Sequence, residues 1–231
     1  MPIIQDLEFG KITIRRSARA THVKLRVAPD GTLHASLPMY APMFLVKSLI
    51  KNSRDQLRAM MAHSKPEYHY TNGMQIGKSH TLIIQPTESA DFSVTRHGLQ
   101  IIVKLPTNES IDDPEIARKV RDTIISALKL EAKSYLPRRL SYLADKSGFS
   151  YVKVRFSHSS GRWGSCSSNG TISLNIALMK LPFELIDYII IHELAHTRQM
   201  NHSPQFWAVV AISDPNYKLH RKTLKALSPS I

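Results

Sequence analysis

One run of nine residues, Tyr188-Ile189-Ile190-Ile191-His192-Glu193-Leu194-Ala195-His196, constrains this chain more than any other. An aliphatic stretch that passes directly into two histidines and a glutamate buries polar side chains with its apolar ones. Pro182 opens a helical pattern that contains the run, so the spacing predicts a helix. Residues four apart share one face, about 5–6 Å apart at Cβ. Buried imidazoles need partners, and a zinc ion supplies them, taking His192 and His196 as two corners of a tetrahedral site with Zn–N near ~2.0 Å. Glu193, on the same turn, reaches a metal-bound water without ligating. Zinc lowers the pKa of such a water towards ~7, and the glutamate takes its proton. A hydrogen-bonded pair of core histidines is the alternative.

A catalytic zinc keeps three protein ligands and one open position. His202 is the expected third. It lies six residues after His196, beyond a helix end expected at Asn201, where a left-handed turn would bring it under the pair. The spacing equals that of metzincin proteases, but their motif continues with a glycine where this chain has Gln199, so the turn must differ. Asp214 is the only acid after Glu193 and ranks below His202, because its position before Pro215 suits a helix cap.

The rest of the chain reads as α+β: a β-rich N-terminal region over 1–105, then a catalytic domain over 106–231. Alternation predicts strands over 11–16, 23–27 and 32–37, with Asp30-Gly31 as a hairpin turn. Apolar residues then recur at helical spacing from Phe44 to Met61. Further strands are expected at 81–85, 92–95 and 99–105. Asp113-Pro114 starts a helix that runs to about Lys146 and stops at Gly148, with Pro137 kinking or splitting it. A strand over 152–156, a polar stretch over 157–170 and a short strand over 171–174 follow. Ser203-Pro204 and Asp214-Pro215 open the last helices.

Lys and Arg total 31 against 18 acidic residues, a formal charge of +13, which attracts polyanions such as nucleic acid or nucleotides. The charge is dispersed rather than gathered into one tract. No apolar run approaches the ~20 residues of a membrane span, and the first residues do not read as a secretory signal. The single Cys166 excludes an internal disulfide. A cytoplasmic location is expected.

The strings Arg162-Trp163-Gly164-Ser165-Cys166-Ser167-Ser168, Ile172-Ser173-Leu174-Asn175, His192-Glu193-Leu194-Ala195-His196, Asn201-His202-Ser203 and Phe206-Trp207 together resemble the YgjP-like predicted metal-dependent hydrolases, relatives of the SprT-like and Wss1-like zinc peptidases. The resemblance is strong over 150–227. Before that it rests on the Arg-Arg-Ser-Ala-Arg segment at 15–19, Asp30-Gly31 and Pro38. It implies a zincin-like domain, a small sheet packed on the HExxH helix, with His192, His196 and His202 as zinc ligands. In zincins an edge strand beside the metal binds substrate backbone, and 171–174 is the candidate strand. Arg162, Trp163 and Ser165 are candidate substrate-binding residues: Arg162 can stabilise an oxyanion or grip an anion, and Trp163 suits core packing equally. Phe206 and Trp207 are read as core that positions His202. His158, Tyr217 and His220 are alternatives for stabilising a transition state, and Cys166 as a fourth zinc ligand is the least favoured reading.

The leading expectation is a zinc metallopeptidase acting on a peptide or protein substrate. The alternatives are a metal-dependent nucleotide pyrophosphatase, favoured by the positive charge, and a nucleic-acid-associated protein with a structural zinc. The second is disfavoured because a structural site needs no general base.

Overall fold

The computed structural model describes residues 2–18, 20–27, 32–63 and 69–231. The chain divides into two compact units, Met1–Tyr68 and His69–Ile231.

In the first unit, strands β1 (Ile3–Asp6), β2 (Gly10–Ser17), β3 (Lys24–Val27) and β4 (Leu33–Pro38) form one sheet in the order β1-β2-β4-β3. β2 and β4 are parallel, and β3 and β4 are antiparallel with Val27 opposite Leu33. The turn expected at Asp30-Gly31 lies outside the described residues. Ile12, Ile14, Leu33, Ala35 and Leu37 alternate onto one face and bury it, against Val46, Ile50 and Leu57 of helices α1 (Phe44–Asn52) and α2 (Arg54–His63). Helical periodicity runs through both helices, but the backbone breaks at Ser53, whose N–H closes the first helix onto Leu49 and Ile50. Arg16 donates to the carbonyls of Met39 and Ala41, tying β2 to the turn after β4.

The second unit opens with a sheet of β5 (Gln75–Ile76), β6 (His80–Thr87), β7 (Ser93–His97) and β8 (Gln100–Pro106), ordered β5-β6-β8-β7. Its inward side chains Ile76, Leu82, Ile101 and Val103 share one core with helix α3 (Pro114–Ser147). That shared core places the division at 68/69, whereas the change of composition in the sequence falls near 105/106.

α3 has 34 residues, or about 51 Å at 1.5 Å per residue. Asp113 caps it through the N–H groups of Glu115 and Ile116, and Gly148 ends it in the left-handed conformation, as the sequence predicts. Pro137 does not split it. Leu136 and Leu140 beside the proline are fully buried, and this packing keeps the two halves continuous.

A three-stranded sheet follows: β9 (Lys153–Ser157), β10 (Gly164–Cys166) and β11 (Thr171–Asn175), in the order β10-β11-β9. A 3-10 turn (Ile176–Lys180) then leads into α4 (Phe183–Ala195), α5 (Pro204–Ser213) and α6 (Tyr217–Lys225). α4 carries Ile186, Ile190 and Leu194 into the centre of the core and packs on α3, β10, β11, α5 and α6. The fold is α+β, with three small sheets and six α-helices among the described residues. No helix among them is long and apolar enough to cross a membrane.

Candidate metal and catalytic site

α4 is apolar on nearly every side, so its polar residues near the C-terminus are enclosed with the rest. His192 and His196 stand one turn apart, as the four-residue spacing predicts, and their ring centroids are 4.9 Å apart. The helix ends at Ala195 with His196 as its cap, not near Asn201. Among the described residues no residue other than glycine has positive φ, so the expected left-handed Asn201 is not how the chain turns. The N–H of Arg198 and that of Gln199 both bond the Ala195 carbonyl, and the Thr197 hydroxyl takes that of Leu194. His196 Nδ1 donates to the Gln199 carbonyl at 3.0 Å. A side-chain bond to residue 199 thus holds the turn that a metzincin closes with glycine.

The turn delivers His202. Its Nε2 lies 3.1 Å from His192 Nε2, and ligand nitrogens of His192, His196 and His202 all fall within 4.8 Å of one another. For Zn–N near ~2.0–2.1 Å, a tetrahedral edge is about 3.3 Å, so the His192–His202 separation is close to that of two ligands on one ion. Three imidazole donors with no carboxylate among them suit zinc or a neighbouring transition metal rather than calcium or magnesium. The bond from His196 Nδ1 to Gln199 leaves Nε2 free to ligate.

Phe206, fully buried in α5, is the floor under all three imidazoles, with centroids at 4.9, 4.5 and 4.8 Å from His192, His196 and His202. Trp207 stacks on His202 at 5.6 Å and on Tyr217 at 5.4 Å, and the Arg221 guanidinium covers it at 4.5 Å. The pair therefore positions His202, and Tyr217 packs there too. Burial, and then the neighbouring imidazoles, push His192 down to about 3 and hold His196 below the usual range. Both rings are neutral, the state a metal requires.

Glu193 is buried, and burial pushes its carboxyl up to about 8, against an opposing pull from Arg162. Its side chain packs on Gly164 of β10. A Cβ built there meets Glu193 Oε1 at 2.7 Å and Cγ at 2.8 Å. Only a residue without a side chain leaves that space. Neither β10 nor this role of Gly164 is evident from pattern, since three residues are too few to show alternation.

β10 also corrects the expected substrate strand. β11, the segment over 171–174, is paired on both sides and has no free edge, whereas β10 is an outer strand. Ser165 lies on β10, half-buried, opposite Ser173. Trp163 is half-buried against the core and Arg162 is exposed. Asn175, fully buried, holds the loop before them: its amide donates to the Ser159 and Arg162 carbonyls at 2.7 and 2.9 Å. Sequence reasoning gave Asn175 no such role.

Asp214 is not in the histidine cluster. Its carboxylate accepts from the N–H of Asn216 and from His220 Nδ1, at 3.0 and 2.7 Å. Asn216, not Asp214, precedes α6. Cys166 is also outside the cluster, and burial, with a smaller contribution from Glu193, pushes its thiol up from the usual range. His158 is lowered by burial and by Arg121 of α3.

No curated protein matches the chain. Among solved structures, the crystal structure of the metallopeptidase zymogen of Pyrococcus abyssi abylysin is similar at 30% identity, over 39% of this chain and 93% of that one, with a TM-score of 0.36. The model of the YgjP-like family, described as a metallopeptidase domain, matches residues 21–227, and the chain belongs to that family.

Proposed function

We propose that this protein is a zinc-dependent peptidase with a zincin-like domain, in which His192, His196 and His202 hold the metal and Glu193 is the general base. The observation that carries the reading is the convergence of three imidazoles within 4.8 Å beside a buried glutamate. Bound there, zinc supplies a Lewis acid that acidifies water and polarises a carbonyl. His196 is oriented by the Gln199 carbonyl, and Phe206 keeps the three rings packed together. Burial alone would leave Glu193 largely protonated near neutral pH; the positive charge of a bound metal would favour its carboxylate form, which would take a proton from the attacking water and return it to the departing amine.

The outer edge of β10 takes an extended peptide by strand addition, beside Gly164 and therefore beside the Glu193 carboxylate. Arg162, exposed at the entry to that strand, grips a carbonyl oxygen or an acidic side chain of the substrate. Trp163 and Ser165 shape the same rim. A single cysteine leaves no internal disulfide and suits a reducing compartment, and the cytoplasm is the proposed location.

The test is Glu193→Gln against the parent chain on casein-like peptides, with metal content measured in both. The variant should keep one metal per chain and lose turnover by several orders of magnitude. Full peptide cleavage by the variant would sink the mechanism, and a metal-free, inactive parent would sink the site.

A further inference from the structure

A cavity of about 830 Å³ lies in the second unit between the β5–β6 sheet, α3 and the start of α4. Phe183 in its wall is about 14 Å along the α4 axis from His192, at 1.5 Å per residue, so the cavity is separate from the histidine cluster.

Lys78, Arg96, Arg138 and Arg139 line it, with Glu131 the one acidic residue among the lining side chains. Glu131 is already satisfied. Its carboxylate accepts from the backbone N–H of Lys78, Ser79 and His80 at 2.7, 2.9 and 3.2 Å, and from His80 Nδ1 at 2.6 Å. Gly77 makes that embrace possible, because any Cβ there would collide with the Glu131 carboxylate. Asp187 neutralises Arg139 through two hydrogen bonds, at 2.7 and 2.5 Å. Lys78, Arg96 and Arg138 are left with no carboxylate at ion-pair distance among the described residues. Lys78 instead sits 4.3 Å over the Phe183 ring and donates to the Leu181 carbonyl, and burial holds its ammonium below the usual lysine range. Glu131 and Glu184 act on Lys78 from beyond ion-pair distance, but cations still outnumber acids in the lining, and an anion relieves their mutual repulsion.

Two further features point to a ligand. His80 is 3% exposed, and its Nε2 is buried without a partner among the described residues. A phosphate offers both acceptor oxygens and, as its monoanion, an acidic proton, so it can satisfy this nitrogen in either role. Leu99, Leu130, Tyr142 and Phe183 are all among the strongly exposed apolar residues, and all line the same cavity. Cations and aromatic rings are interleaved in this lining, Lys78 over Phe183 at 4.3 Å and Arg139 over Tyr142 at 4.9 Å, and with a volume within the ~300–1,000 Å³ of small-molecule sites the mixture fits a ligand with an anionic head and an apolar body.

We propose that this cavity binds a small organic phosphate, its head held by Arg138, Arg96 and Lys78 and its apolar body set on Tyr142 and Phe183. Guanidinium forks match phosphate oxygens in pairs, which favours phosphate over a single carboxylate.

Calorimetric titration of the intact, metal-loaded protein with 1-naphthyl phosphate and with inorganic phosphate tests this. Naphthyl phosphate should bind at one site, at least tenfold more tightly than inorganic phosphate. Arg138→Glu, at an exposed position, should weaken it at least tenfold, and Tyr142→Ala should remove most of the preference for the naphthyl body. Lys11→Glu, an equal charge reversal at an exposed position of β2, should change affinity by less than threefold. Absence of saturable binding overturns the proposal. So does equal weakening by Lys11→Glu and Arg138→Glu, which would mean attraction to the overall +13 charge alone. Peptide cleavage by Arg138→Glu should match the parent, so failure of this site and failure of the peptidase reading remain distinguishable.

Discussion

Replacing Gly164 by alanine adds one methyl group against the group assigned the proton transfer. Gly164 does not have positive φ, so alanine meets no backbone strain and the effect is purely steric. The new Cβ would lie 2.7 Å from Glu193 Oε1 and 3.0 Å from Cδ. Ordinary contact begins at about 3.4 Å, so the carboxylate must retreat by roughly 0.7 Å or the strand must move outward. Misplacing a reacting group by about 1 Å costs on the order of 10²-fold in rate, or about 2.7 kcal/mol at ~1.36 kcal/mol per decade. Overpacking adds about 1–3 kcal/mol of destabilisation. The expected outcome of Gly164→Ala is therefore unchanged metal stoichiometry, a modestly lower Tm, and kcat/KM for a peptide reduced about 10²-fold. Glu193→Asp withdraws the carboxylate by one methylene, so its penalty should be smaller in the Gly164→Ala background than in the parent. A double-mutant cycle on kcat/KM measures that coupling. Parental activity in Gly164→Ala, or strictly additive penalties, would refute the idea that β10 sets the position of the base.

Phe206→Ala removes the floor beneath three imidazoles; the expected cost is about 3–5 kcal/mol of stability and a 10–100-fold loss of metal affinity, read by thermal unfolding and competition with a chromophoric chelator. Unchanged affinity in a folded variant would mean that the rings hold their places without it. In the first unit, hydrogen bonds from Arg58 and Arg54 hold the Glu8 carboxyl below its usual 4.5. A folded-state value below the unfolded one gives stability that is fully present above the unfolded value and is lost as pH falls through the folded value. Glu8→Gln should therefore lower stability near about pH 7, and the difference should narrow as pH falls below the usual 4.5; a difference that does not change with pH would show that the ion pairs contribute nothing.

Elements whose cause is local were legible in the sequence. Asp113-Pro114 and Gly148 bound α3 because a cap and a left-handed stop are short-range chemistry. His192 and His196 share a face because helix geometry is periodic. Pro137 fails as a breaker because its cost, about 3 kcal/mol, is set against burial of the leucines on either side of it, and no local rule contains that burial. Composition changes near Pro106, but Ile101 and Val103 pack with α3 across that change, and the compact units meet at 68/69.

The site divides along the same line. His202 was reached by spacing, yet the turn that delivers it uses the His196–Gln199 bond, a contact that exists only once the helix has ended at Ala195. The zincin resemblance makes 171–174 the candidate substrate strand, but reading a segment as a strand does not say whether its edges are free. β10 alternates too briefly to be noticed, yet it takes the outer position and brings a glycine against Glu193. The string Arg162 to Cys166, which ends in β10, therefore joins two requirements that sequence reading keeps apart. One is an open strand edge; the other is a gap the size of a carboxylate. Both follow from a single pairing, Gly164 opposite Leu174. A slip of that register by one residue would turn Ser165 towards the base and send Gly164 to the other face. The register of a three-residue strand thus bears on the proposed proton transfer as directly as the identity of Glu193 does.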